Sequence, residues 1–472
     1  AFLNFREKAP LAASANMYLD KNGHVIKNLS TRGYLAVGVP GTVMGLNTAL
    51  KKYGTMSLKQ VMAPAIKLAE QGFVLDEGDV RLLDARSDEF ATQPNVAAIF
   101  LNDGKPYRPG ERLVQKNLAH TLKLIEKGGT KAYYDGSIAD AIVKASKANG
   151  GILTKKDFKQ YNVGWEKPVR CEYRGYSIIS SPPPSSGGTT MCEIINIISG
   201  YPMQTFGFHS VNAVHYLVEA MRHAYADRNT KLGDPDFVRN PVAQLLSAKH
   251  AAAIRAKIPP RRATPSSQIN GGLGLHEGDD TTHYSIVDAH GNAVAVTYTI
   301  NWYFGNGRIA GDTGFFLNNE MDDFTSKPGV PNSFQLVQGE ANSIAPGKRP
   351  LSSMSPTIVT RGGKLFMVTG SPGGSRIITI TLESILNVID HGMNIQQAIS
   401  APRIHQQWLP DVVQYEPGAF SDDVMKTLES RGYHFEEHRP WGAAEAILVD
   451  PKTGILYGAS DPREPAGSAA GY

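Results

Sequence analysis

Hydrophobic residues recur at helical spacing through much of the first half of the chain. Residues 57–72 and 117–129 place apolar side chains three and four positions apart, and each segment ends on glycine, which commonly terminates helices. Residues 215–229 predict a further helix. Residues 174–181, RGYSIISS, form a short apolar run that is typical of a buried strand. The pattern therefore predicts a helix-rich first half in which strands appear late.

The pattern changes in the second part of the chain, where two hairpins are predicted. Residues 285–288 and 293–298 flank the turn AHGN, and residues 355–360 and 364–370 flank the turn RGG. The second hairpin leads into the segment GSPGGSR and then into residues 376–392, whose spacing predicts an amphipathic helix. A strand, a glycine-rich turn and a helix in this order favour a binding site at the helix N-terminus.

Composition narrows the class of protein. The chain has 472 residues, of which 41% are hydrophobic and 19% charged, with a net charge of +4 and no basic arm or acidic tail. These values predict a soluble globular protein with a small-molecule partner. They do not favour nucleic acid or membrane lipid as a partner. No apolar run is long enough for a spanning helix, and the first residues do not resemble a signal peptide. Cys171 and Cys192 fit no metal or redox spacing and are interpreted as packed or surface thiols.

A candidate nucleophile follows the most linker-like part of the chain. Residues 258–280 are rich in Pro, Gly, Ser and charge without any period, which is typical of a flexible linker or of a cleavage site. Thr281 comes next. A threonine hydroxyl needs an adjacent base, and cleavage before the threonine would supply its own α-amine, whose ordinary pKa is about 7.7–8.0. Thr281 is therefore a candidate processed nucleophile.

Gly373 and Gly374 are the second candidate feature. They stand between the predicted strand and helix, where backbone N–H groups carry partial positive charge and suit an oxyanion. A tight turn that needs positive φ explains the same glycines equally well. Other catalytic motifs are missing from the sequence, and His283 and His290 are interpreted as a strand residue and a turn residue, with no serine assembled beside them.

Four motifs together resemble the γ-glutamyltranspeptidase family of N-terminal-nucleophile hydrolases, in particular its bacterial periplasmic members. They are TTHYSIVD, LNNEMDDF, KRPLSSMSPTIV and TGSPGGSRI, and they are joined by LNFREKAP, VGVPGTVMGL, AYYDGSIA, SPPPSSGGTT and the C-terminal sequence GASDPREPAGSAAGY. The resemblance implies an α+β fold, a four-layer αββα sandwich. It also implies a precursor that cuts itself between Asp280 and Thr281 into a large subunit, residues 1–280, and a small subunit, residues 281–472, which form one domain as a heterodimer.

The resemblance also implies roles for individual residues. Thr281 would be the nucleophile, Thr299 would orient it, and Gly373 and Gly374 would form the oxyanion hole. The α-carboxylate of the substrate would bind to Arg6, Ser352 and Ser353. The α-ammonium group would bind to Asn301, Glu320 and Asp323, of which Asp323 supplies the countercharge. Arginine suits a carboxylate because its planar fork makes two parallel hydrogen bonds.

The implied activity is acyl transfer from γ-glutamyl amides such as glutathione, through a γ-glutamyl-enzyme, to water or to an amino acid or dipeptide acceptor. No metal or organic cofactor is expected, because nucleophile, base and oxyanion donors all lie in the chain. By resemblance alone, the expected location is periplasmic or secreted. Two alternatives remain open: a related cephalosporin acylase, whose glutaryl substrate would leave Asp323 without its partner, and a binding protein that never matures.

The sequence departs from the family in three places. The family's large subunit has an N-terminal stretch, including a strand of the central sheet, that does not occur here before Ala1. Glu320 stands where some bacterial members have glutamine. Trp302, Tyr303 and Phe304 follow Asn301 where small polar residues are frequent, and with Phe334, in the lid-like segment 327–350, and Trp441 they predict an aromatic wall for the acceptor.

Overall fold

The computed structural model describes residues 1–269 and 281–472. Residues 270–280 of the predicted linker lie outside the described residues. The predicted cleavage point between Asp280 and Thr281 therefore involves a residue that is not described. Within the described residues, helices predominate before residue 256 and strands are more frequent after residue 281. The helices are α1 Thr42–Tyr53, α2 Leu58–Gln71, α3 Glu77–Asp84, α4 Ser87–Ala91, α5 Pro94–Phe100, α6 Lys116–Tyr134, α7 Ser137–Ala148, α8 Lys155–Gln160, α9 Gly187–Ile198, α10 Met203–Phe206, α11 Val211–Lys231, α12 Val242–Leu245, α13 Ala248–Arg255, α14 Ile377–Ile389, α15 Ile395–Ser400 and α16 Asp422–Ser430. The strands are β1 Phe2–Asn4, β2 Phe73–Val74, β3 Arg112–Leu113, β4 Gly164–Glu166, β5 Val169–Tyr173, β6 Tyr176–Ser180, β7 Thr282–Val287, β8 Ala293–Tyr298, β9 Thr357–Arg361, β10 Lys364–Gly370, β11 Ile404–His405, β12 Val413–Tyr415, β13 Phe435–Glu437, β14 Glu445–Val449 and β15 Leu456–Ser460.

A six-stranded antiparallel sheet forms the centre of the molecule. Its strand order is β15-β14-β10-β9-β6-β5. Strands β5 and β6 come from before residue 270, and the other four come from after residue 281. The two parts of the chain therefore share one hydrogen-bonded sheet, to which each contributes strands.

Helices cover one face of this sheet and a hairpin covers the other. Helices α9 and α14 pack on β5, β6 and β10, and α11 packs on α9. The largest group of buried apolar side chains joins this helical layer to the sheet, and it includes Ile178 on β6, Ile194 on α9 and Ile380 on α14. The β7–β8 hairpin packs on β9, β10 and β14. Ile286 and Val294 on this hairpin are about half exposed.

The elements that the periodicity of the sequence predicted are mostly confirmed. Helices α2 and α11, strand β6 and the hairpins β7–β8 and β9–β10 are all confirmed. The predicted helix over residues 117–129 ends at Gly129 as expected, because the backbone breaks there with φ 58°, and a second short helical stretch continues to Tyr134. One detail differs. Helix α14 is not amphipathic, because every residue from Ile377 to Asn387 is buried.

The prediction that the two cysteines are thiols is wrong. Cys171 on β5 and Cys192 on α9 form a disulfide with a Cα–Cα distance of 5.7 Å. Sequence spacing could not reveal the bond, because only the packing of α9 on β5 brings residues 21 positions apart into bonding range. Within residues 1–269 and 281–472, none of the helices is both long enough and apolar enough to cross a membrane.

Candidate active site

Thr281 stands immediately before β7, at the open end of the hairpin. Thr282 pairs with Tyr298 in the antiparallel register, so the residues beyond them, Thr281 and Thr299, also meet. Thr281 Oγ1 lies 3.4 Å from Thr299 Oγ1, and the backbone N–H of Asn301 donates to Thr299 Oγ1 at 2.8 Å. The hairpin register thus brings the predicted nucleophile to its predicted partner.

Arg6 reaches the same place from the other end of the chain. It follows β1, and its guanidinium pairs with Asp323 through Nη2 and with Glu320 through Nη1 at 2.5 Å, while Glu7 lies 3.5 Å from Nη1. Glu320 and Asp323 belong to a single 3-10 turn, Glu320–Asp323, so both carboxylates point at one cation. The predicted carboxylate-binding and ammonium-binding residues are therefore bonded to each other in the structure.

Burial and charge act in opposite directions on this cluster. Burial alone would lower the pKa of Arg6, but the carboxylates of Glu320 and Asp323 outweigh it and raise that pKa above its usual value. Burial raises the pKa of Asp323 to about 6, although Arg6 pulls it down. Burial also raises the pKa of Glu320 well above its usual range against the same opposing effect. Asp323 is the partly exposed carboxylate of the two, since Glu320 is 0% exposed.

The two serines lie on a segment that is bonded to the loop before α9. The N–H of Ser352 donates to the Pro184 carbonyl at 2.9 Å, and Ser352 Oγ accepts from the N–H of Met354 at 3.0 Å. Ser353 Oγ accepts from Arg228 Nη2 at 2.9 Å. Each hydroxyl thus already accepts one hydrogen bond and keeps its proton for donation.

Gly373 and Gly374 lie between β10 and α14, as the sequence predicts. Their φ angles are 134° and 53°, in the region that favours glycine, so the requirement for a positive-φ turn holds. Gly374 begins the 3-10 turn Gly374–Arg376, which leads into α14. An oxyanion role is compatible with this backbone and stays a prediction.

A single cavity collects most of the predicted residues. It measures about 330 Å³, counted with the part of its mouth that is open to solvent. Eight of the predicted site residues line it: Arg6, Thr281, Thr299, Asn301, Asp323, Ser352, Ser353 and Gly374. Glu320 is buried behind Arg6, and Gly373 adjoins Gly374 away from the lining. The walls thus carry a candidate nucleophile, a cation, a carboxylate and hydroxyl donors.

Sequence reasoning missed several residues of this cavity. Arg228 on α11 lines it, as do the apolar side chains of Leu336, Leu351, Met354 and Ile377. Arg228 falls inside a segment that the pattern correctly predicted as a helix, and nothing in the local sequence separates it from the other charged residues of that helix. Only the packing of α11 shows that this side chain reaches the site.

The predicted aromatic acceptor wall is only partly assembled. Phe334 lines the cavity. The ring of Trp302 instead lies near the guanidinium groups of Arg32 and Arg86, at 4.9 and 5.4 Å from its centroid. Trp441 is buried, with the guanidinium of Arg376 4.7 Å from its ring. The three side chains therefore do not form one wall, and their effect on acceptors stays a prediction.

His283 is a strand residue, as predicted, but it does have hydroxyl neighbours. Its Nδ1 is 2.7 Å from Thr297 Oγ1 and its Nε2 is 3.1 Å from Ser285 Oγ. Burial lowers the pKa of His283 to about 3, so the ring is neutral at physiological pH. Its ring also packs so closely on Gly370 that a Cβ there would lie 2.3 Å from it. These contacts join the hairpin to the central sheet two residues from Thr281.

Proteins of one known family are similar to the whole length of this chain. The profile of the family described as Gamma-glutamyltranspeptidase matches residues 1–471. The glutathione hydrolase proenzyme of Pseudomonas sp. (strain A14) is 57% identical over 480 residues, covering 100% of this chain and 84% of that protein. The glutathione hydrolase proenzyme of Escherichia coli (strain K12) is 47% identical over 472 residues, covering 100% of this chain and 81% of that one.

A solved structure extends the likeness to the fold. The cephalosporin acylase from Bacillus halodurans matches with a TM-score of 0.83 and 27% identity, covering 98% of this chain and 83% of that one. The predicted α+β fold of the N-terminal-nucleophile hydrolases and the prediction of an enzyme are thereby confirmed. The chain belongs to the γ-glutamyltranspeptidase family.

Proposed function

We propose that this chain is an autoprocessed γ-glutamyl acyltransferase and glutathione hydrolase whose nucleophile is Thr281. One observation carries the proposal. Thr281 Oγ1, 3.4 Å from Thr299 Oγ1, opens onto a cavity whose walls hold the Arg6 cation and the Asp323 carboxylate. A γ-glutamyl group carries an α-carboxylate and an α-ammonium group, and these two opposite charges match that pair.

Maturation would use the same oxygen as turnover. Thr281 Oγ attacks the carbonyl carbon of Asp280, the peptide nitrogen leaves as the new α-amine of Thr281, and an ester joins the two parts. Water then hydrolyses the ester, which frees the Asp280 carboxylate and regenerates the hydroxyl. The products would be a large subunit, residues 1–280, and a small subunit, residues 281–472. The sheet shared by β5, β6 and the later strands supports their remaining together as a heterodimer in one domain.

In turnover the α-amine of Thr281 accepts the hydroxyl proton while Oγ attacks the γ-carbonyl carbon of the donor. The N–H groups of Gly373 and Gly374 would stabilise the oxyanion, and Thr299 would hold the hydroxyl in position. The protonated α-amine then gives its proton to the leaving amine. Water or an amino acid or dipeptide acceptor attacks the resulting ester, so release and transfer share one γ-glutamyl-enzyme.

Donor recognition would require an exchange of ion-pair partners. Arg6 is held by Asp323 and Glu320, so an incoming α-carboxylate competes with Asp323 for its guanidinium, supported by Ser352 and Ser353. Asp323 thereby becomes available to the α-ammonium group, with Asn301 beside it. Glu320 remains behind Arg6, and its role would be to keep that cation in place. The zwitterionic γ-glutamyl group would thus replace the Arg6–Asp323 ion pair with two ion pairs, one from Arg6 to its carboxylate and one from Asp323 to its ammonium group.

A glutaryl acylase is the second candidate, because the Bacillus halodurans neighbour is named a cephalosporin acylase. A glutaryl group carries no cation for Asp323. In the structure, however, Asp323 already has a partner in Arg6. A glutaryl group would nevertheless add an anion that competes with Asp323 without supplying the cation that compensates it.

Two measurements test the proposal. Intact mass should show two fragments that meet between Asp280 and Thr281, and a Thr281→Ala variant should stay as one chain. The wild-type protein should release the anilide from a γ-glutamyl anilide, faster with a dipeptide acceptor, and should act poorly on the glutaryl anilide. An uncut inactive wild type would support the binding-protein alternative, and a preference for the glutaryl anilide would support the acylase.

We also propose a periplasmic or secreted location. The Cys171–Cys192 disulfide supports an oxidising compartment, because such bonds are rare in the reducing cytosol. Release of the protein by osmotic shock, alongside a periplasmic marker, is the expected result. Recovery with the cytosolic fraction, with both cysteines reactive toward a thiol reagent, would contradict it.

A further inference from the structure

Arg228 is a buried cation on the wall of the active-site cavity. It lies in the last turn of α11, is 1% exposed and lines the cavity with Thr281 and Asp323. Its Nε donates to Ser186 Oγ at 2.8 Å, its Nη1 to Asn229 Oδ1 at 2.7 Å and its Nη2 to Ser353 Oγ at 2.9 Å. All three bonds go to neutral oxygens.

This neutral environment distinguishes Arg228 from the other cation of the site. Arg6 is held by the carboxylates of Glu320 and Asp323, whereas within residues 1–269 and 281–472 no carboxylate lies in ion-pairing distance of Arg228. Burial lowers the pKa of Arg228 to about 10, with Tyr225 and then Asp323 acting in the opposite direction, so the group stays charged at neutral pH. A buried charge without a counter-ion is costly and is rarely kept without a function.

The hydrogen bonds of Arg228 order both serines of the predicted carboxylate site. Ser353 Oγ accepts from Arg228 directly. Ser186 Oγ, which also accepts from Arg228, donates to the Ser352 carbonyl at 2.6 Å, and the Ser186 N–H donates to the same carbonyl at 2.8 Å. A hydroxyl that accepts from a guanidinium has its own proton left for another acceptor. One side chain thus sets the position of residues 352–353 and the direction in which Ser353 can donate.

We propose that Arg228 is a positioning residue for the donor's α-carboxylate, acting through Ser353 and, by way of Ser186, through Ser352. The inference rests on the proposed function. Its positive charge forms no ion pair with a carboxylate of the described residues, so it favours an anion at the serines. Arg6 and Arg228 thereby have different tasks: Arg6 exchanges partners as the donor binds, and Arg228 holds the serine segment throughout.

The test compares two donors in Arg228→Lys and Arg228→Gln. One donor is a γ-glutamyl anilide with a free α-carboxylate, and the other carries a neutral α-carboxamide in its place. For the first donor we expect KM to rise roughly 100-fold in Arg228→Gln with little change in kcat, the scale of losing a charge-assisted contact at a buried site, and to rise less in Arg228→Lys, which keeps the charge but not the three hydrogen bonds. For the carboxamide we expect a change below roughly 3-fold in both variants, because this donor presents no charge to the serines. The preference of the wild type for the carboxylate donor should therefore be reduced in the Arg228 variants.

Arg222→Lys is the matched control, since Arg222 is also a buried arginine of α11 but pairs with Asp411 and bonds to Ser266 outside the cavity. It should keep the wild-type donor preference. All rates are referred to the processed fraction, counted by mass and by active-site titration, so incomplete maturation does not enter the ratio. Equal losses on both donors in the Arg228 variants, or an unchanged donor ratio, would overturn the inference. A wild type that cleaves neither donor would instead refute the proposed function.

Discussion

Asp323→Asn provides the sharpest test of how the cavity recognises its donor. The substitution keeps the size and a hydrogen-bonding oxygen of the side chain and removes its charge. Glu320 remains in contact with Arg6 at 2.5 Å. The loss should therefore fall on the bound ammonium group and leave Arg6 in place. Asp322→Asn on the same 3-10 turn is the control, because Asp322 accepts from Ser30 and from the Ser333 N–H and does not line the cavity.

The expected magnitude follows from the geometry of the site. An ammonium group about 4 Å from a carboxylate gains about 4 kcal/mol at an effective dielectric constant of about 20, the value suited to a partly exposed pair. Each 1.36 kcal/mol corresponds to a factor of ten, so kcat/KM for a γ-glutamyl anilide should fall about 1,000-fold. For a glutaryl anilide, which has no ammonium group, kcat/KM should be unchanged or should rise, because the variant removes a competing anion.

The pH profile gives an independent readout of the same carboxylate. Burial raises the pKa of Asp323 from 3.8 to about 6, and binding of an ammonium group requires the ionised form. The kcat/KM of the wild type should therefore fall as pH drops through about 6, and the variant should lack this limb. The fall should be reversible. A carboxyl group with a raised pKa stabilises the fold below pH 3.8 and loses that contribution as pH rises through 6, so its protonation does not unfold the protein.

Two results would refute the reasoning about Asp323. One is a similar loss of kcat/KM for both anilides, which would mean that the substitution disturbs the site as a whole. The other is a loss of kcat/KM below about 5-fold for the γ-glutamyl anilide, far less than the loss expected for a partly exposed ion pair.

Three further predictions concern other parts of the structure. Replacing Cys171 and Cys192 by serine should lower the free energy of unfolding by about 3 kcal/mol, the scale for a closed loop of about 20 residues, and an unchanged denaturation midpoint would contradict the bond. Gly370→Ala should destabilise the protein by about 1–3 kcal/mol through overpacking on His283 and slow its maturation, as measured by thermal denaturation and intact mass; wild-type behaviour would rule out the close packing. Trp302→Ala should alter the ratio of transfer to hydrolysis, and an unchanged ratio would remove this ring, which lies beside two guanidinium groups, from the acceptor site.

The sequence by itself determined the local elements and the family. Hydrophobic spacing located α2, α11 and both hairpins, because helices and strands place their side chains at fixed periods that neighbouring residues alone establish. The spacing gave a wrong prediction for a helix that is buried on all sides. Helix α14 looks amphipathic in its spacing, but its polar positions, Thr379, Thr381 and Ser384, are buried because their hydroxyls bond to backbone carbonyls one turn earlier.

The tertiary structure alone decided which distant residues meet and in what state of pairing. Arg6 and Asp323 are 317 positions apart, and Arg228 and Ser353 are 125 apart, so no local pattern predicts either contact. The resemblance named Arg6 and Asp323 but assigned them to opposite ends of a substrate, whereas the structure pairs them with each other. The disulfide and the uncompensated charge of Arg228 have the same origin. Both depend on how α9 packs on the central sheet and α11 on α9, and packing between remote elements is not encoded in the spacing of neighbouring residues.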